Sequence, residues 1–75
     1  MKNEKIKQTL EKRYKIEFYI ESPEFNLYEI NFIINGIHNI LPYKYKNEES
    51  LKYNIEMICA NIDFMIIRSY KKLSI

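Results

Sequence analysis

The sequence predicts an α+β domain: a three-stranded antiparallel meander with a short N-terminal and a long C-terminal helix. Three observations predict it. Apolar residues recur at every second position over residues 14–21 and again over 27–34, the period of a half-buried strand. An Asn35-Gly36 pair, holding the only glycine of the chain, stands between two apolar runs, as a tight hairpin turn requires. Residues 51–67 are instead apolar at helical spacing.

Residues 3–13 open the chain as a helix. Asn3 is a candidate cap, Glu4 sits where the helix dipole favours an anion, and Ile6, Leu10 and Tyr14 form one narrow apolar stripe. A helix so polar elsewhere must dock to persist. In the strand over 14–21, Tyr14, Ile16, Phe18 and Ile20 face one way, and Lys15, Glu17, Tyr19 and Glu21 the other. Ser22-Pro23-Glu24-Phe25-Asn26 breaks it, since proline cannot donate to a ladder and Ser and Asn favour turns. Over 27–34, Tyr28, Ile30, Phe32 and Ile34 oppose Leu27, Glu29, Asn31 and Ile33. The strand over 37–45 returns, and Pro42 within it argues for a sheet edge. Asn47 is a candidate cap for the last helix, followed by Glu48 and Glu49; the helix should end near Lys71 or Lys72.

Seventy-five residues make one domain, 1–75, with no linker or repeat. A chain this short buries roughly 60% of its unfolded surface, and a deep substrate cleft would compete with the core for the same residues. One cysteine permits no internal disulfide, as in a reducing cytoplasm. The basic N-terminus has no apolar run after it, so no signal peptide is expected. The most apolar stretch, 55–67, is too short to span a bilayer and carries Glu56 and Asp63. Abundant Ile, Lys, Asn and Tyr reflect A/T-rich codons before they reflect function.

The net charge of +2 is segregated: residues 1–15 carry +4, 16–30 carry −4, 31–46 carry +2, 47–63 carry −3 and 64–75 carry +3. Within the negative block, Glu17, Glu21 and Glu29 fall on the outer face of the sheet, with Glu24 in the loop between the strands. Carboxylates this close repel, which a cationic partner would relieve; a plain solvated sheet face is the alternative.

The long helix carries two apolar stripes. Leu51, Ile55, Ile58, Cys59, Ile62, Met65 and Ile66 form the face to lay on the sheet. Tyr53, Met57, Ala60, Phe64 and Ile67 cluster nearly opposite, separated from the first set by Lys52, Glu56 and Asp63 on one side and Asn54, Asn61 and Arg68 on the other. One stripe suffices for a helix on a sheet. The second is covered either by the N-terminal helix or by a partner or second copy of the chain.

Chemistry-bearing motifs are sparse. His38 is the single histidine and has no ligand spacing around it; Cys59 sits among isoleucines as a small core residue. One glycine cannot make a phosphate loop, and the carboxylates lie in no cleft that would raise a pKa. No enzyme activity, cofactor, metal or small-molecule substrate is expected. The element order resembles double-stranded-RNA-binding domains in outline. Their Gly-Pro-x-His stretch is replaced by Asn35-Gly36-Ile37-His38, however, and their lysine-rich helix start by Asn47-Glu48-Glu49-Ser50, so nucleic-acid binding is not expected beyond weak phosphate contact by Lys2, Lys5, Lys7, Lys12, Arg13 and Lys15.

A short Asn- and Lys-rich helix running into Tyr14-Lys15-Ile16-Glu17, a tight Asn35-Gly36 hairpin and the Asn47-to-Ser50 opening resemble small phage-encoded anti-CRISPR inhibitors built as helix, meander and helix. The resemblance covers most of the chain. It implies a cytoplasmic protein of a bacterial host that inhibits a host defence protein, such as a CRISPR effector complex, by protein–protein contact. Glu17, Glu21, Glu24 and Glu29 would then stand for a DNA-mimicking patch, although the net positive charge departs from such mimics. The alternatives are a homodimeric structural or regulatory protein sealed through Tyr53, Met57, Phe64 and Ile67, or a weak nucleic-acid binder.

Overall fold

The computed structural model describes residues 2–46 and 48–73; of residues 67–73 it describes the backbone only. The elements are α1 (Lys2–Tyr14), β1 (Glu17–Glu24), β2 (Leu27–Ile34), β3 (Ile37–Lys46) and α2 (Leu51–Leu73). The strands form one antiparallel sheet in the order β1-β2-β3, the meander expected. Both helices lie on one face of it.

The core follows the apolar periods. Ile6 and Leu10 of α1, Phe18, Ile30, Phe32, Leu41 and Tyr45 of the sheet, and Ile58, Cys59 and Ile62 of α2 are buried together. Phe18 and Phe32 are cross-strand partners with ring centroids 5.7 Å apart, so the aromatic pair also holds the register. The helices run in the same direction, side by side. Lys2 donates to the backbone carbonyls of Lys46 (3.5 Å) and Glu49 at the start of α2, while Tyr14 donates to Asp63 (2.8 Å) twelve residues further along α1. Burial, with the hydrogen bond to Asp63, pushes the Tyr14 hydroxyl pKa well above its ordinary value.

Several boundaries differ from expectation, each for a physical reason. Tyr14 ends α1 and does not begin β1: Lys15 takes the left-handed conformation (φ 57°) and its N–H donates to the Glu11 carbonyl, closing the helix. Asn3 does not cap α1, which begins at Lys2; its Oδ1 instead accepts from the buried Tyr45 hydroxyl at 2.7 Å. Pro23 does not end β1. A bulge between Glu21 and Glu24 absorbs it on an edge strand, so Glu24 belongs to β1 and pairs with Leu27, and the turn shrinks to Phe25-Asn26. Pro42 lies in a second bulge, on edge strand β3, between Ile40 and Lys44. The Asn35-Gly36 turn has φ of 51° and 78°, both positive as a type I′ hairpin demands.

The cap of α2 is Ser50, whose Oγ accepts from the Tyr53 N–H at 3.1 Å. Asn47, the expected cap, lies outside the described residues, as do the side chains of Arg68, Lys71 and Lys72. Asn54, placed by sequence in a polar seam, is fully buried; its Nδ2 donates to the Lys46 carbonyl at 3.4 Å and its Oδ1 has no partner.

Candidate functional site

Of the surfaces left open among the described residues once the helices have docked, two carry the contact residues expected from sequence: the solvent side of α2 and the outer face of the sheet. On α2, the first stripe packs inward through Ile58, Cys59 and Ile62, with Leu51, Ile55 and Met65 partly covered and Ile66 at the margin. α1 does not cover the second stripe. It meets α2 on the flank of Cys59 and Asp63, where Tyr14 also reaches the Cys59 carbonyl and Arg13 pairs with Asp63 at 3.5 Å. Tyr53 therefore remains 46% exposed and Phe64 61%, with exposed Ala60 and partly exposed Met57 between them. The side chain of Ile67, expected in the same stripe, lies outside the described residues.

The outer face of the sheet is set by register. Cross-strand partners point to the same side, so the pairings arrange it in four rows. Glu17, Ile33 and His38 make the first row; Tyr19, Asn31 and Ile40 the second; Glu21, Glu29 and Lys44 the third; Glu24, Leu27 and Lys46 the fourth. All four expected glutamates are thus brought onto one face. Glu21 and Glu29 are directly opposed, and Lys44 answers Glu29 at 3.7 Å. The Tyr19 hydroxyl donates to Glu17 at 2.7 Å, and that bond raises the Tyr19 pKa.

The face is consequently divided, not uniformly acidic. Carboxylates occupy β1 and Lys44 and Lys46 occupy β3; between them β2 presents Leu27, Asn31 and Ile33 together with Glu29, which pairs with Lys44. Asn31 is 2% exposed, and its Nδ2 has no acceptor. Sequence alternation placed Asn31 outward but gave no sign that its neighbours would bury it.

Neither sheet edge invites strand addition, since each carries a proline at a bulge. On β1 the Glu11 carboxylate additionally accepts the outward Phe18 N–H at 3.3 Å. Between α1 and β1 runs an open groove of about 370 Å³ lined by Asn3, Glu4, Lys7, Tyr19, Ile20 and Glu21. Lys7 lies 5.7 Å from the centre of the Tyr19 ring there. Among the described residues, no group of three or more His, Cys, Asp or Glu is placed to hold a metal ion, and no helix is long and apolar enough to cross a membrane.

Comparisons with protein-family models, with curated proteins and with solved structures return no match for this chain.

Proposed function

We propose that this chain is a binding domain, an inhibitor or adaptor without chemistry of its own, whose contact surface is the solvent side of α2. One observation carries the reading: Tyr53 and Phe64 stay 46% and 61% exposed on a well-packed helix, with Met57 and Ala60 between them, while α1 packs against the flank of Cys59 and Asp63. Small monomers seldom leave such a ridge to water. Two aromatic anchors flanking Met and Ala are a composition suited to protein interfaces, where aromatic and Met side chains are enriched. Lys52 and Glu56, exposed beside the ridge, supply a polar rim.

The resemblance in architecture makes a host defence protein such as a CRISPR effector the first partner class to try, in a bacterial cytoplasm. Imitation of DNA by Glu17, Glu21, Glu24 and Glu29 is not the mechanism favoured here, because Lys44 and Lys46 share their face. The test is a pull-down from a bacterial host lysate with wild type, Phe64→Asp and Tyr53→Asp. A partner held by wild type and by Glu17→Lys, and lost from both α2 variants, supports the reading. A partner kept by Phe64→Asp and lost when Glu17, Glu21 and Glu29 are reversed to Lys overturns it in favour of the sheet.

A further inference from the structure

The outer sheet face has a property that neither a solvated surface nor an acidic mimic requires: it is complementary to itself. Its β1 side carries Glu17, Glu21 and Glu24, and its β3 side carries His38, Lys44 and Lys46 in the corresponding rows. β1 also presents Tyr19 (43% exposed) and β3 Ile40 (54% exposed), while the middle strand presents Leu27, Ile33 and Glu29, the last paired with Lys44 at 3.7 Å. Asn31, with its unpaired Nδ2, stands in the middle strand at the centre.

We propose that two copies of this chain pair face to face through their outer sheet surfaces, about a two-fold axis parallel to β2. Such an axis lays β1 of each copy over β3 of the other while keeping the rows level. Glu21 then faces Lys44 of the other copy, Glu24 faces Lys46, Glu17 faces His38, and the Tyr19 ring meets Ile40. Each pairing occurs twice, as an isologous interface requires. Aligned packing of two sheets about 10 Å apart is a common way to bury apolar sheet faces.

Electrostatics selects this axis over its rival. A two-fold axis perpendicular to the strands would lay β1 over β1 with the rows reversed and oppose Glu17 to Glu24 twice, whereas the chosen axis opposes one like pair, Glu29 and its counterpart over β2, each neutralised by its own Lys44. On the chosen axis the two Asn31 side chains approach each other over β2. A rotation of Tyr19 or Ile40 about χ1 lets each Nδ2 reach the other copy's Oδ1. A lone buried Asn at a symmetric contact fixes register in coiled coils by the same exchange.

Three strands about 4.8 Å apart and eight residues of about 3.3 Å each give a footprint of roughly 14 by 26 Å, a contact of the small, weak class. Self-association in the micromolar range is therefore expected. The pairing leaves both α2 ridges facing outward.

The test is light scattering and sedimentation equilibrium on the full chain from low-micromolar to millimolar concentration, with charge exchanges. Wild type should move from monomer to dimer. Glu21→Lys places lysine over Lys44 and Lys44→Glu places carboxylate over Glu21, so each variant alone should self-associate about tenfold to a hundredfold more weakly. Mixed one to one, the two should form a heterodimer, because both exchanged pairs are then opposite in sign. Lys44→Glu also breaks the bond to Glu29, so Glu24→Lys with Lys46→Glu at the sheet end provides the same test without touching Glu29, and circular dichroism confirms folding. Wild type monomeric throughout the range overturns the proposal. So does a dimer insensitive to all four exchanges, or one lost only in Phe64→Asp, which would assign self-association to α2.

Discussion

Asn31→Leu should stabilise this protein. Asn31 is 2% exposed and its Nδ2 has given up water without gaining an acceptor. A buried donor left unpaired costs about 1–3 kcal/mol, and leucine has nearly the same shape without the donor. Leucine also suits an apolar row between Tyr19 and Ile40 better than asparagine, which is depleted in strands. The expected gain is about 1–3 kcal/mol. For a domain of this size about 1 kcal/mol moves Tm by roughly 4–8 °C, so the midpoint should rise by about 4 °C or more. The assay is thermal and urea unfolding followed by circular dichroism, at two protein concentrations so that any contribution of self-association is seen separately. Asn31→Ala removes the donor but leaves a void, so it should gain less. A loss of 1 kcal/mol or more in Asn31→Leu, with the urea slope unchanged, would refute the premise that the amide is unpaired in the folded chain.

Ser50→Ala should cost about 1 kcal/mol, since it strips the α2 cap from the Tyr53 N–H; equilibrium urea unfolding measures it, and no loss would mean that another group caps the helix. Stability should also fall in alkali. The Tyr14 and Tyr45 hydroxyls are both pushed above their ordinary value of 10.0, chiefly by burial, so their neutral forms are favoured in the folded state. Their contribution is complete below pH 10, where the unfolded chain also keeps the proton, and is lost as pH rises from there toward the folded values. Stability falls across that window because the unfolded chain releases these protons while the folded chain keeps them. Tyr14→Phe should make the fall measurably shallower, as read from urea midpoints at stepped pH; an unchanged fall would show that Tyr14 does not contribute.

The order of elements, the Asn35-Gly36 hairpin and the inward residues of β1 and β2 are legible in the sequence because they follow from local causes: alternation, positive φ and helical period. Glu17, Glu21 and Glu29 were placed on one face by the same alternation, whereas Glu24, assigned to the loop, joins them only through the bulge after Glu21. Pro23 misled because a bulge on an edge strand tolerates a proline that a central strand would reject, and which strands are edges is a property of the sheet. Tyr14 misled because alternation and helical spacing both fit it, and only the left-handed turn at Lys15 separates them. Asn54 looked like a seam residue because helical period gives angles, not the direction from which β3 arrives.

By itself, then, the sequence determined that the long helix has two apolar stripes and that one face of the sheet gathers carboxylates. Tertiary structure decided what those features are. Docking α1 against Cys59 and Asp63 left Tyr53 and Phe64 largely exposed to solvent, with Met57 and Ala60 between them. Register across three strands set Lys44 and Lys46 beside the glutamates and closed Asn31 into their midst. Both outcomes depend on contacts between residues far apart in the chain, and no local pattern encodes which distant side chain will arrive.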